Sequence, residues 1–458
     1  MSGVCIENSL TEIEQIMKSI SIYIHIPFCV KKCQYCDFLS APADSRAQEV
    51  YLRALKQEIR EQAARYRKYE VQTVFIGGGT PTAVPCEKLC EVLKTVFTCY
   101  RVNPQAEISM EANPGTVTKE ALLSYRKAGI NRLSIGLQST DDGELKLLGR
   151  IHTYRDFLQT YRWAQEAGFT NINLDIMSAL PGQSVENYKK TLETVLSLRP
   201  QHISAYSLIV EEGTPFYEKY GQESEKLQAT GEKQPDLPSE EEEREMYTLT
   251  EKLLATAGYH RYEISNYALP GMECRHNRVY WKRGNYVGFG LGAASMVENV
   301  RFENTREMQE YLAEYAGVPD AEPVFAEVAQ GDAQVLSNKQ EFSLREDTHS
   351  ENEQELSLRE DTHSENEQEL SIRENVHPLS PQEQMEETMF LGLRLTEGVS
   401  KAEFHRQFGV SMEQIYGEVI RKNTAKGLLI DEAGYVCLTR EGMDLSNYVM
   451  AQFLLDEV

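Results

Sequence analysis

The chain has 458 residues, 41% of them hydrophobic, which is enough for a large domain and a smaller one. Its 47 basic and 71 acidic side chains leave a net charge of −24, and it has no basic patch with interleaved aromatics, which disfavours nucleic acid as a partner. More than half of the excess charge sits in residues 341–377 (−9) and 239–245 (−4), both low-complexity and read as solvated.

No apolar run approaches a membrane span, and residues 1–20 lack the apolar centre of an export signal. That leader places Ile13, Ile16, Met17 and Ile20 at helical spacing, as a short helix packed on the body or a frayed tail would. The nine cysteines accordingly read as reduced thiols, and the expected location is cytoplasmic.

An alternating strand (Ile22, Ile24, Ile26) runs into Pro27 and releases Cys29, Cys33 and Cys36 at C-x3-C-x2-C spacing. With Lys31, Lys32 and Gln34 between them, these thiols suit a loop wrapped around one soft metal centre better than a packed core. Zinc usually takes four ligands in two pairs, and no second pair follows nearby. A [4Fe–4S] cluster held by three cysteines leaves one iron open for a further ligand.

Helices are expected over residues 45–69, 87–97, 118–127, 154–167 and 185–197. Strands are expected over 71–76, 106–111, 132–138, 171–176 and 202–208. Six strands, each followed by a helix, imply a parallel sheet curling toward a barrel, with too few units to close eight-fold. Polar residues collect where strands end: the glycine run 77–79, Glu111, Gln138, Asp175 and Tyr206. The carboxyl ends of the strands are the functional face of such folds.

Beyond residue 208 a helix over 240–257 and a strand over 259–265 lead to Cys274, His276, Tyr280 and Trp281. The alternating Gly288, Gly290 and Gly292 read as a strand edge or a tight backbone approach, not as a dinucleotide loop. Residues 342–355 recur almost unchanged as 356–369, and 370–377 begin a third copy. With only two apolar residues per copy, the tract reads as a disordered, solvated insertion. From residue 380, helical stretches at 384–395, 400–408 and 412–422 precede a hairpin over 427–438 with its turn at Glu432–Gly434.

The cysteine loop, with Tyr35 just before its last cysteine, resembles that of radical S-adenosylmethionine (SAM) proteins. The preceding YIHIPFC resembles the branch that holds oxygen-independent coproporphyrinogen III oxidases and the HemW heme chaperones. The oxidases have a further cysteine two residues after the last one; Phe38 stands there in this chain, as in HemW. The resemblance covers residues 21 to about 320 and resumes at 380. It implies an α/β fold, a partial (β/α)6-type radical SAM barrel with a C-terminal winged-helix-like domain. The expected divisions are a leader (1–20), a barrel core (21–215), an extension with the H-N-x-x-Y-W motif (216–320), an acidic insert (321–379) and the winged-helix-like domain (380–458).

By the same resemblance, Cys29, Cys33 and Cys36 hold a [4Fe–4S] cluster, and Tyr23, Tyr35, Gly78, Gly79, Thr80, Glu111, Gln138, Arg150 and Asp175 form the shell of SAM. Gly77–Gly79 allow close backbone approach, Glu111 can accept from an ammonium or a ribose hydroxyl, Asp175 from ribose hydroxyls, and Arg150 can pair with a carboxylate. The H-N-x-x-Y-W motif, His276 to Trp281, implies heme, with His276 as iron ligand, Tyr280 and Trp281 on the pocket wall and Cys274 as a competing thiolate. A histidine beside aromatics is otherwise more often a satisfied core residue.

The implied partners are heme, heme-receiving respiratory proteins and an electron donor, with peripheral membrane association. Three readings stand: a heme chaperone on a radical SAM core, an oxidase that decarboxylates coproporphyrinogen propionates, and a metal-stabilised binding module without SAM chemistry. Phe38 separates the first from the second; the complete SAM shell separates both from the third.

Overall fold

Short apolar strands alternating with amphipathic helices build one twelve-stranded sheet. The computed structural model describes residues 17–221, 235–316 and 373–455. At the centre of the sheet six parallel strands lie in chain order: β1 (Lys18–Ile26), β2 (Tyr69–Gly78), β3 (Val102–Ala112), β4 (Arg132–Gln138), β5 (Ile172–Ser178) and β6 (His202–Ser207). Helices Ser45–Gln62, Cys86–Cys99, Lys119–Ala128, Tyr154–Glu166 and Val185–Leu198 cross between successive strands. Side chains start them where the sequence supplies caps: Asp44 accepts from Ala47 N at 2.7 Å, and Thr153 and Asp156 form a reciprocal capping box.

Beyond β6, β7 (His260–Arg261) and β8 (Asn266–Ala268) run antiparallel. On the other side of β1 lie β9 (Tyr286–Phe289), β10 (Ala294–Val297), β11 (Val300–Asn304) and β12 (Arg373–Pro378). β7 and β12 are the two ends of the order, so the barrel is partial and open, as expected.

Strand alternation divides the centre into two environments. Val74, Ile76, Ile108, Met110, Leu133, Ile135, Leu174 and Ile176 are buried in the core cluster that includes the helices. The alternate positions carry Ser21, Tyr23, Thr73, Glu107, Glu111, Arg132, Ser134, Asn173, Asp175 and His202; Thr73 bonds Ser21, and Asn173 links Ser134, Asp175 and His202. The inside of the barrel is therefore a polar column.

The glycine run after β9 is a close approach. Gly290 has φ +101°, and a Cβ there would lie 2.7 Å from His25 O. Its N–H donates to Glu58 at 2.8 Å, and Glu58, buried and pushed up to about 7 by desolvation, also accepts from Asn304 and Tyr311.

The C-terminal unit has its own core around Met389, Phe404, Tyr416, Val436 and Phe453. Helices Pro381–Gly392, Lys401–Phe408 and Met412–Ala425 precede a hairpin of β14 (Leu429–Glu432) and β15 (Tyr435–Leu438), with β13 (Val399–Ser400) alongside β15. Ala433 and Gly434, at φ +52° and +82°, make the tight turn of this wing.

Four expectations are corrected. The first helix stops at Gln62, and after a 3-10 turn Tyr69 and Val71 are already buried in β2. The strand expected over 259–265 is two shorter ones, β7 and β8, joined by a turn. Ile20 belongs to β1 and is buried, so the body begins before residue 21; residues 1–16 lie outside the described residues. The insert does not extend to 379: β12 pairs with β11, and the Arg373 guanidinium lies 4.3 Å from the Phe302 ring centre and donates to Gln62 at 2.7 Å. The two complete repeats lie outside the described residues.

Because loop length enters stability only logarithmically, deleting residues 342–369 is expected to move the melting temperature by no more than about 2 °C. Extending the deletion through residue 378 removes a paired strand and should lower it by several degrees more. Thermal melts of both variants check this; equal melting temperatures would show that β12 contributes nothing.

Candidate functional site

The cysteine loop leaves β1 at the carboxyl end of the sheet and is pinned by backbone bonds from Cys29 N to Ala41 O (3.1 Å) and from Gln34 N to Leu148 O (3.0 Å). Cys29, Cys33 and Cys36 line one cavity of about 130 Å3, together with Tyr35, Gly78, Gly79, Thr80, Glu111, Gln138, Arg150 and Asp175. All the expected SAM-shell residues except Tyr23 thus surround the thiols. Tyr23 does not line the cavity; it stacks on Phe75 and bonds His25 Nδ1 at 3.0 Å.

The glycines are needed here. A Cβ on Gly79 would lie 2.7 Å from Phe28 O and 3.0 Å from Cys29 Sγ, and Gly78, at φ +110°, donates its N–H to Glu111 Oε2 at 3.1 Å. Two donors reach the sulfurs: Thr80 Oγ1 lies 3.5 Å from Cys29 Sγ, and Arg150 Nη1 lies 3.5 Å from Cys33 Sγ. Arg150 Nη2 donates to Asn113 Oδ1 (2.6 Å) and to Gly136 O (2.9 Å), whereas its Nε is buried without a partner.

Burial pushes the Glu111 carboxyl up to about 8, with the charge of Asp175 as the second cause. Asp175 is also raised by burial, against hydrogen bonds that include one from Asn173 at 2.7 Å. Gln138 holds a left-handed φ of +69° where β4 slips register against β5, which ends the strand at the cavity.

Sequence reasoning noted Asn113 only as a polar residue at a strand end and missed Ser134 and Gly136, all three on this cavity. Asn113 joins Thr80 (2.8 Å) to Arg150, and a Cβ on Gly136 would lie 2.8 Å from Asn113 Oδ1. The signal for Asn113 was its place two residues after Glu111, at the end of β3. Phe38 lines the cavity and is 61% exposed.

The three thiols fit a cluster. Among the described residues no three His, Cys, Asp or Glu side chains converge on a single metal ion. The cysteines instead rim a cavity, as ligands to separate irons of one cluster would. The partnerless Arg150 Nε and the buried Glu111 supply one cationic and one acidic group for a zwitterion beside it.

His276 is elsewhere, away from the cysteine cavity. It lies on the short helix Arg275–Trp281 at the opposite end of the polar column and is 1% exposed. The Thr73 hydroxyl donates to Ser21 Oγ at 2.8 Å, so it accepts from His276 Nδ1 at 2.7 Å. Nε2 is then the ring's acceptor, and Tyr280 O–H fills it at 2.9 Å. Burial, aided by Arg132, holds the imidazole neutral, with its pKa lowered to about 3. The lone pair that iron would need is already in use.

Phe75 stacks on the ring at 5.2 Å, and Glu107 accepts from His276 N at 3.2 Å and Arg275 N at 3.0 Å. Cys274, also fully buried, faces Glu107. Tyr280 packs edge-on to Tyr286, while Trp281 turns toward the C-terminal unit under Arg394, so they do not share a pocket wall.

Residues 23–195 match the Radical SAM superfamily and residues 379–445 the HemN C-terminal domain. Heme chaperone HemW of Bacillus subtilis is 35% identical over 95% of this chain and 99% of its own length. That of Lactococcus lactis is 31% identical over 97% and 99%. HemW of Escherichia coli is 38% identical over 61% of this chain and 70% of that one. Among solved structures, coproporphyrinogen III oxidase (HemN) of Escherichia coli superposes with a TM-score of 0.72 over 95% of this chain and 90% of that one; at 21% identity this shows the shared fold. The chain belongs to the HemW family of radical SAM proteins.

Proposed function

We propose that this protein is a heme chaperone: it binds heme and a SAM-ligated [4Fe–4S] cluster and hands heme to respiratory and other heme proteins. The observation that carries the reading is the near full-length relationship to proteins named heme chaperone HemW, in a chain whose position 38 is Phe rather than a fourth thiol. Membership of the radical SAM superfamily implies SAM and a [4Fe–4S] cluster. Cys29, Cys33 and Cys36 would hold that cluster, which supplies the electron for cleaving a carbon–sulfur bond of SAM.

In this reading Gly78 and Gly79 admit the methionine portion of SAM, Glu111 takes its ammonium, Arg150 its carboxylate, and Asp175 the ribose hydroxyls. Thr80 and Arg150 donate toward the thiolates. His276 plays a structural part instead, its ring and the N-terminus of its helix closing the floor of the polar column.

Three measurements test these assignments. Anaerobically reconstituted protein titrated in parallel with heme and coproporphyrinogen III is expected to give a Soret band at one heme per chain and no protoporphyrinogen. Cys29→Ala should lose the iron–sulfur chromophore. Turnover of coproporphyrinogen by the cluster-loaded protein would overturn the chaperone reading.

The second concerns Glu111. Its folded pKa of about 8 exceeds the usual carboxyl value of 4.5, so between these values the folded chain holds a proton that the unfolded chain lacks. Its contribution to stability is complete below the lower value and lost as pH rises through the upper one. An ammonium favours the carboxylate, so SAM binding at pH 6.5–7.5 should release a proton and tighten as pH approaches 8. Calorimetry in buffers of different ionisation heat reads the proton, and Glu111→Gln should abolish its release.

The third concerns His276. Replacing it by alanine removes two buried hydrogen bonds and leaves a cavity, at an expected cost of about 2–4 kcal/mol. The melting temperature should fall by several degrees whether or not heme is present. An unchanged melt with a lost Soret band would instead make His276 the ligand.

A further inference from the structure

Six cysteines take no part in the cluster loop, and two of them meet. Cys86 and Cys90 are four residues apart on helix Cys86–Cys99, a spacing that places side chains one above the other on a helix face. Their sulfurs are 4.0 Å apart, and both are free thiols and half-buried. They line a cavity of about 810 Å3 between this helix and helix Lys119–Ala128, walled also by Phe97, Lys94 and Ser124. None of its lining residues belongs to the cluster cavity.

We propose that Cys86 and Cys90 form a two-thiolate binding site for a soft monovalent cation of the copper(I) class. Thiolates select soft ions over hard ones. With metal–sulfur bonds of about 2.3 Å, one ion spans sulfurs 4.0 Å apart at an angle near 120° with no movement of the backbone. Small side-chain rotations widen that angle.

No third His, Cys, Asp or Glu among the described residues completes a coordination set, which disfavours four-coordinate zinc and suits an ion content with two sulfurs. The groove wall carries both signs of charge, Glu87, Glu91 and Glu120 against Lys94 and Lys127, so the two sulfurs and not the surrounding field select the ion. A disulfide is a poorer use of the pair, because its sulfurs must close to about 2.05 Å. Binding is a simple exchange: two sulfur–metal bonds form, two thiol protons leave to solvent, and no electron moves.

The test uses cluster-loaded protein under anaerobic conditions, titrated with copper(I) against bicinchoninate, with the iron–sulfur absorption recorded alongside. One copper(I) per chain is expected at an unchanged cluster spectrum. Cys86→Ser and Cys90→Ser should each weaken uptake at least tenfold and the double variant abolish it, whereas Cys99→Ser leaves it intact. Melting temperature and iron content show that the variants are folded and loaded. No copper uptake, equal uptake by the double variant, or uptake accompanied by cluster loss would each overturn the proposal, the last by assigning the ion to Cys29, Cys33 and Cys36.

Discussion

The barrel depends on how its polar interior is satisfied. β1 to β6 turn every second residue inward, and most of those residues are polar or charged. In a column remote from water each must find a partner or pay for its desolvation. Arg132 is the extreme case: it is fully buried beside Glu107 and Asp175, while its Nε has no partner. Neighbouring strands answer part of the demand, as when Asn173 of β5 bonds Ser134 of β4 and His202 of β6.

The two ends of the column meet the rest of the demand differently. At the floor the chain supplies its own plug. Glu107 receives the first backbone N–H groups of the helix Arg275–Trp281, and His276 fills the space between Thr73 and Tyr280. At the carboxyl ends of the strands Glu111, Arg150 and the three thiols line the wall of a cavity instead. A motif that looks like a ligand in sequence is thus buried at one end of the column, and polar residues toward the strand ends line a cavity at the other.

This division explains what could be read from residues alone. Period-2 apolar strands and capped amphipathic helices announced the parallel sheet, because burying one face of each leaves a strong pattern. The glycine run, Glu111, Gln138 and Asp175 were legible because they fall toward the carboxyl ends of strands, where topology gathers them, whereas Tyr35, Thr80 and Arg150 were legible only through the family resemblance. Asn113 and Gly136 were harder: one acts through a side-chain bridge to Arg150, the other by having no side chain to obstruct it. The burial of His276 was not legible, since it depends on where a seven-residue helix docks on strands some 200 positions earlier. Similarly, 373–378 reads as repeat sequence and becomes a strand only because β11 offers an edge.

The protonation state of the site follows from the same constraint. Glu111 and Asp175 face one cavity, and burial makes two carboxylates there costly, so Glu111 keeps its proton near neutral pH. Arg150 is held in place by Asn113 and the Gly136 carbonyl, neither of which neutralises its charge. Without a ligand the wall thus carries a cation and a carboxyl that burial and the neighbouring Asp175 keep neutral. A zwitterion reverses both conditions, offering an ammonium to Glu111 and a carboxylate to Arg150. Such a ligand binds the folded chain alone, because only folding brings β3 and the segment after β4 together, and its binding energy is added to the stability of the barrel mouth. A zwitterionic ligand would therefore complete the open end of the column in the way that His276 completes the floor.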